Sequence, residues 1–182
     1  MQQDSQLPLP LFYYGHPILR KKAEPITEIT EEIRTFIQHM IETMRAHRGL
    51  GISAPQVGRS IAVFVASPPM GEKDGKVIQG PPRVYINPEL TDPSVEHWEH
   101  SEGCLSIPKV FAQIARPVRI TITALDIDGK QFSETLTEWP ARVIMHENDH
   151  LNGVLFIDRL PQKQRHALEP QLRIIKAKYK YR

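Results

Sequence analysis

A single cysteine in 182 residues excludes an internal disulfide, so the fold cannot be one stapled by sulfur bridges. Long apolar runs are missing as well. The stretch from Ile61 to Ala66 is far too short to cross a bilayer, and no membrane association is expected. Strong charge of either sign is absent: 23 Lys and Arg against 21 Asp and Glu leave a net charge of +2, so composition gives no argument for nucleic acid or membrane binding. No internal repeat or low-complexity segment appears, which argues against a solenoid. Residues Met1 to Tyr14 carry no basic stretch followed by an apolar run, and the first arginine is Arg20. Neither a secretory signal nor an arginine-rich transit peptide is expected. The length suits a single domain, residues 1–182, with room for a sizeable core.

What the chain does have is His146-Glu147-Asn148-Asp149-His150. On a helix each residue advances by about 100°, so His150 returns to within about 40° of His146, with Glu147 on the same arc. Two imidazoles at that spacing can grip one metal ion while a carboxylate stands beside it as a base. The metal helix is expected over Trp139 to Asn152, with Pro140 in its first turn, where a missing N–H is harmless, and Gly153 at its end.

A third ligand must come from elsewhere. The extended zinc-protease pattern fails, because Phe156 stands where its last histidine would be. Glu169 lies near the distance used by proteases with a two-histidine, one-glutamate set, although Pro170 follows it immediately. The stronger candidate is Cys104, within Ser101-Glu102-Gly103-Cys104-Leu105-Ser106. A lone cysteine is ordinarily a small buried hydrophobe. Here Glu102, Gly103 and Ser106 are poor company for a core position, and Gly103 allows the backbone to bend so that a thiolate reaches a metal. Cys104, His146 and His150 would leave one coordination position for water, the mark of a catalytic site.

Three separated motifs then resemble the peptide deformylase family: Gly49-Leu50-Gly51-Ile52-Ser53-Ala54-Pro55-Gln56, Glu102-Gly103-Cys104-Leu105-Ser106, and the metal helix itself. Their order agrees with the family, and Pro17 to Arg20 and Leu151 to Asp158 are also similar to it. Departures are Ser53 in place of the usual alanine, Met145 in place of glutamine, Glu138 where glycine is common, and Phe111 where a basic side chain is often found near the substrate cleft. None of them removes a ligand. The glycine-rich motif also fits a loose dinucleotide fingerprint, but that pattern must follow a strand and open a helix. This one follows a helix and runs into Pro55.

Thr30 can cap a helix with Glu31 and Glu32 in its first turn and an apolar stripe of Ile33, Phe36, Ile37, Met40, Ile41 and Met44, running to about His47. Ile61 to Val65 and Val84 to Asn87 read as strands, and Pro68 to Pro82 as an exposed loop. Val118 to Asp126 alternates apolar and polar residues, and Asp128-Gly129 signals a hairpin into Gln131 to Thr137. The class is α+β. The resemblance implies antiparallel sheets packed around a central metal-binding helix, with an N-terminal and a C-terminal helix, and Cys104 presented from a neighbouring strand or turn.

The resemblance further implies removal of the formyl group from N-formyl-methionyl ends of nascent chains, with release of formate. Glu147 would be the base, and Gln56 with the backbone N–H of Leu105 the oxyanion donors. Gly49, Leu50, Gly51, Ile52, Gly103 and Val143 would lie against the substrate, Val143 being one turn before His146. Glu102 and Asp149 are candidates either for bracing the ligand imidazoles or for ion pairs with Arg116 or Arg142. Thiolate plus imidazoles suit several ions. Fe²⁺ is expected as the native one, with Zn²⁺, Ni²⁺ or Co²⁺ as occupants of purified protein. A thiolate that must stay reduced places the protein in a cytoplasm. The basic tail Arg173 to Arg182, with Tyr179 and Tyr181, reads first as a solvated helix end and second as a contact for ribosomal RNA. Two rivals remain at this point: an endopeptidase that uses Glu169 and leaves Cys104 free, and a binding protein that has kept the fold but lost catalysis.

Overall fold

The computed structural model describes residues 7–73 and 76–180, with the side chains of 72, 73, 76 and 77 set aside. The expected first helix, α1, spans Glu31–Ala46, and the Thr30 hydroxyl accepts a hydrogen bond from the Ile33 N–H at 3.3 Å. All six residues of its apolar stripe are buried, each contributing about 2 kcal/mol relative to exposure.

The described residues form nine strands, β1 (Gly51–Ser53), β2 (Val63–Ala66), β3 (Pro69–Lys73), β4 (Lys76–Gln79), β5 (Arg83–Thr91), β6 (His97–Cys104), β7 (Ile107–Pro117), β8 (Arg119–Leu125) and β9 (Gln131–Thr137). Every pairing between these strands is antiparallel. The main sheet runs β1-β2-β5-β8-β9, and β2 explains its layering. Val63 and Val65 join the cluster of α1, while Phe64 and Ala66 join that of the second helix, α2 (Glu138–Leu151). Alternating side chains thus send one strand to two helices, one on each face of the sheet. That is why Val63-Phe64-Val65-Ala66 is apolar throughout.

A long hairpin, β6–β7, stands apart from this sheet and turns at Leu105 and Ser106. Its pairing slips between Gly103 and Cys104, where Lys109 takes a φ of 63° on the opposite strand. Such a bulge re-aims the side chains at the tip, among them Cys104. The outer part of β7 packs Ile107, Val110 and Ile114 against Phe156, Leu172 and Ile175 in a third cluster. The N-terminal segment ties the two halves together. The Phe12 N–H donates to the Gln56 carbonyl and the Tyr14 N–H to that of Ser106, both at 2.8 Å.

Several expectations need correction. Strand β2 starts at Val63, and Ile61 makes only an isolated bridge to Glu24. The expected loop Pro68 to Pro82 contains the β3–β4 hairpin. Its alternation was hidden because no core lies beneath it: Met70 and Ile78 are exposed. The C-terminal helical region is two helices, α3 (Gln162–Ala167) and α4 (Glu169–Lys178), with Pro170 in the first turn of the second. The end of the basic tail, 181–182, and the first six residues lie outside the described residues.

Candidate metal centre

Helix α2 carries His146, Glu147 and His150, and the β6–β7 tip carries Cys104. The ligand atoms of Cys104, His146 and His150 all lie within 4.8 Å of one another. Cys104 Sγ is 3.3 Å from His150 Nε2. Two ligands of a tetrahedral ion at ordinary bond lengths are about 3.5 Å apart, so the spacing suits one shared cation. The His146 Nδ1 lies 3.0 Å from the Glu102 carboxylate, which fixes that nitrogen as the donor and leaves Nε2 as a lone-pair ligand. Glu169 is not in this group; it pairs with Arg165 at 2.7 Å, so the alternative third ligand falls.

Charge at the site is finely divided. Burial works against a charged His146, yet the Cys104 sulfur and Glu102 carboxylate outweigh it and push the ring up to about 10. Burial, then the positive charge of His146 and Arg116, holds His150 well below the ordinary histidine range. A divalent cation takes the place of protons on such thiol and imidazole ligands, so the donor set fits a metal chemically as well as in spacing. Glu147 is buried, and that desolvation raises its carboxyl to about 7, with His146 opposing and Asp149 and Glu102 adding to the rise. Its buried Oε2 has no hydrogen-bond partner among the described residues. A carboxylate titrating near neutrality beside a metal site is matched to general-base work.

Behind the ligands lies a buried ion network. Glu102 takes two bonds from Arg116, at 2.6 and 2.8 Å, one from Arg142 at 2.6 Å, and that from His146. Asp149 accepts from Arg116 at 2.9 Å and from Arg159 at 2.6 Å. Both readings weighed for Glu102 hold at once, since it braces a ligand and pairs with arginines. Among the described residues the Asp149 carboxylate bonds only to arginines, and the buried His150 Nδ1 has no partner. Against its burial, the Arg116 guanidinium and the His146 ring hold the Glu102 carboxyl far below its ordinary value.

Gln56 is buried opposite, at the end of a short 3-10 turn over Ala54–Val57. Its Nε2 is 3.4 Å from Cys104 Sγ and 3.2 Å from Ser106 Oγ. A cavity of about 670 Å³ opens in front of these groups, lined by Gly49, Leu50, Gly51 and Gln56 on one side. Gly103, Cys104 and Leu105 form the hairpin side, and Val143, His146 and Glu147 the helix side. Two sequence candidates stand behind this wall. His150 is buried beneath it, and the Ile52 side chain packs in the α1 core, so Ile52 does not line the cavity.

The glycines serve packing. A Cβ at Gly51 would sit 2.5 to 2.7 Å from Glu147 Oε1, Cγ and Cδ, so Gly51 makes room for the Glu147 side chain. One at Gly103 would meet the ring of Phe111 at 2.6 Å, and Phe111 lies across the hairpin at the cavity mouth. Sequence reasoning did not place Tyr13 and Tyr179 at the site; they stack with ring centres 3.8 Å apart, and both line the cavity. Contacts between residues this far apart in the chain leave no local pattern.

A family model described as "Polypeptide deformylase" matches residues 8–166. A peptide deformylase of Salinibacter ruber is 41% identical over 169 residues, covering 91% of this chain and 87% of that protein. An Arabidopsis thaliana peptide deformylase 1B, solved with an inhibitor, superimposes with a TM-score of 0.85 at 36% identity, covering 94% of this chain and 92% of that one. The Ehrlichia chaffeensis peptide deformylase, solved with actinonin, gives 0.83 at 35% identity, covering 93% and 96%. Family match, identity over nearly the whole chain and superposition of the fold agree, and the chain belongs to the peptide deformylase family.

Proposed function

We propose that this protein is a metal-dependent amide hydrolase that removes the formyl group from the N-terminal formyl-methionine of newly made polypeptides. The observation that carries the reading is a thiol, an imidazole, a buried carboxyl raised to about 7 and a side-chain amide N–H converging on one cavity, with a second imidazole, His150, directly beneath the thiol.

Cys104, His146 and His150 would hold a divalent ion, which supplies Lewis acidity and makes water a nucleophile near neutral pH. Glu147 takes a proton from the attacking water as its oxygen bonds to the formyl carbon. The Gln56 Nε2–H and the Leu105 backbone N–H donate to the oxygen that gains charge, a contribution of roughly 3 kcal/mol per donor. The carbon–nitrogen bond then breaks, and Glu147 returns the proton to the leaving amine. Formate and a free amino terminus result.

Val143 and Leu50 form the apolar flank for the methionine side chain, while Gly49, Gly51 and Gly103 admit the substrate backbone. Ile52 supports this wall from the core. The cavity exceeds what formyl-methionine alone fills, and its volume accommodates further residues of the chain.

Fe²⁺ is the native ion in this reading, with Zn²⁺, Ni²⁺ or Co²⁺ entering during purification in air; metal analysis of anaerobically prepared protein tests it. The thiolate's need for a reducing compartment supports a cytoplasmic place of action. No helix among the described residues is long and apolar enough to span a membrane. Ribosomal RNA is the partner suited to the exposed basic residues Arg173 and Lys176 on α4, and ribosome binding insensitive to Arg173→Glu with Lys176→Glu removes that assignment.

The deciding assay is formate release from formyl-Met-Ala-Ser under anaerobic conditions, native chain against Glu147→Gln. The native protein turns over and the variant does not. A native chain that binds metal yet releases no formate would be a binding protein, and the proposal would be lost.

A further inference from the structure

The amide of Gln56 is held by Ser53, the position where the motif departs from alanine. The Ser53 backbone N–H donates to Gln56 Oε1 at 2.9 Å, the reach-back half of a capping box, and the Ser53 hydroxyl donates to the same oxygen at 3.0 Å. Both residues are essentially inaccessible to solvent, so no water competes for these bonds. An N–H can only donate, so it decides which end of the amide faces it. Oxygen points to Ser53, and Nε2 points to Cys104 Sγ and Ser106 Oγ. A carbonyl oxygen has two accepting positions, and Ser53 fills both.

We propose that the Ser53 hydroxyl is a positioning residue for the reaction, holding the Gln56 N–H at the angle from which it meets the developing oxyanion. The inference rests on the deformylase reading of Gln56. An alanine at 53 would keep the backbone bond and lose the hydroxyl one, leaving the amide oxygen a single tether and the orientation of Nε2 to its longer contacts with Ser106 Oγ and Cys104 Sγ. Donors placed before the reaction cost no reorganisation when charge develops, and a less firmly held donor forfeits part of that. Binding of the substrate, which precedes charge development, does not depend on it.

Three measurements test this. Ser53→Ala lowers kcat about fivefold, the rate equivalent of one neutral hydrogen bond, with KM and metal content unchanged. In a Gln56→Ala background the same substitution has no further effect on kcat, because its target is gone. In the metal-free protein, the Gln56 side-chain amide protons, followed by nitrogen-15 NMR, lose protection from solvent exchange in Ser53→Ala.

Unchanged exchange together with an undiminished effect in the Gln56→Ala background would overturn the proposal and reduce Ser53 to packing. Failure of the underlying reading looks different. In that case Gln56→Ala itself leaves kcat intact, or the native chain releases no formate.

Discussion

Gly51→Ala isolates the steric basis of the site. The added Cβ would lie 2.5 Å from Glu147 Oε1, 2.6 Å from Cγ and 2.7 Å from Cδ, against an ordinary contact of about 3.5–4 Å. Something must retreat by about 1 Å. The backbone is not free to do so, because Gly51 pairs with Ala66 on β2, whose four residues are buried between two helices. Helix α2 is also held, since Arg142 one turn earlier is bonded to Glu102 and to the Ile114 carbonyl. The side chain of Glu147 therefore swings away. Overpacking of this kind costs about 1–3 kcal/mol. A displaced base forfeits its share of catalysis, about 10²–10⁴-fold in kcat.

Thermal unfolding and formate release measure the two effects separately. The expected result is a lowered midpoint, at least about a hundredfold loss of kcat, and near-native metal content, because no metal ligand is touched. Introduced into Glu147→Ala, the same substitution costs no stability, since the clashing atoms are gone. Near-native kcat with an unchanged midpoint would refute the reasoning, as would a stability loss that persists in the Glu147→Ala background.

Glu102→Gln weakens metal affinity by about 10–100-fold in a chelator competition, and Asp149→Asn weakens it less, because Asp149 reaches the ligands only through Arg116; the reverse order would contradict the network as described. Cys104→Ser strips or alters the bound metal while Glu169→Gln leaves it unchanged, as elemental analysis of the purified variants would show. Glu138 sits in the left-handed region at a φ of 53°, so Glu138→Gly raises stability by about 1 kcal/mol, read from denaturant unfolding. In the metal-free protein Glu147 titrates near 7 against an ordinary 4.5, so the folded state binds its proton more tightly. That contribution is complete below pH 4.5 and is lost as pH rises through 7, about 3 kcal/mol in all, and Glu147→Gln removes this limb of the stability profile.

The metal helix was legible because its signals are local. His146 and His150 are spaced by the helix itself, Pro140 marks the start, and Gly153, at a φ of 69° against the Arg20 carbonyl, marks the end. Helix α1 was equally open, through its cap and stripe. The β6–β7 hairpin was not: His97 to Ser101 holds one apolar side chain, Trp98, so no apolar alternation betrayed a strand, and Cys104 could be placed only through its motif. The β3–β4 hairpin was hidden for a similar reason. The glycines were visible, but the side chains that Gly51 and Gly103 make room for, Glu147 and Phe111, belong to other elements or to the opposite strand and leave no local signal. Ile52 carried the same difficulty in reverse, its motif membership saying nothing about which way it points.

Three guanidinia and two carboxylates behind a metal site are not there for stability alone. Removing such charges from water is costly, and apolar replacements of similar volume are often neutral or stabilising. Their arrangement gives a better reason. Glu102 lies on β6, two residues before Cys104, and receives bonds from Arg142 and His146, both on the helix that carries the two imidazoles. One carboxylate thus ties the strand that supplies the thiol to the helix that supplies the nitrogens. Arg116 on β7 extends the tie to Asp149, one residue before His150. The donor atoms are already within 4.8 Å of one another, so a cation meets a set that needs little rearrangement. The network's contribution should therefore appear chiefly in metal affinity and in the placement of Glu147.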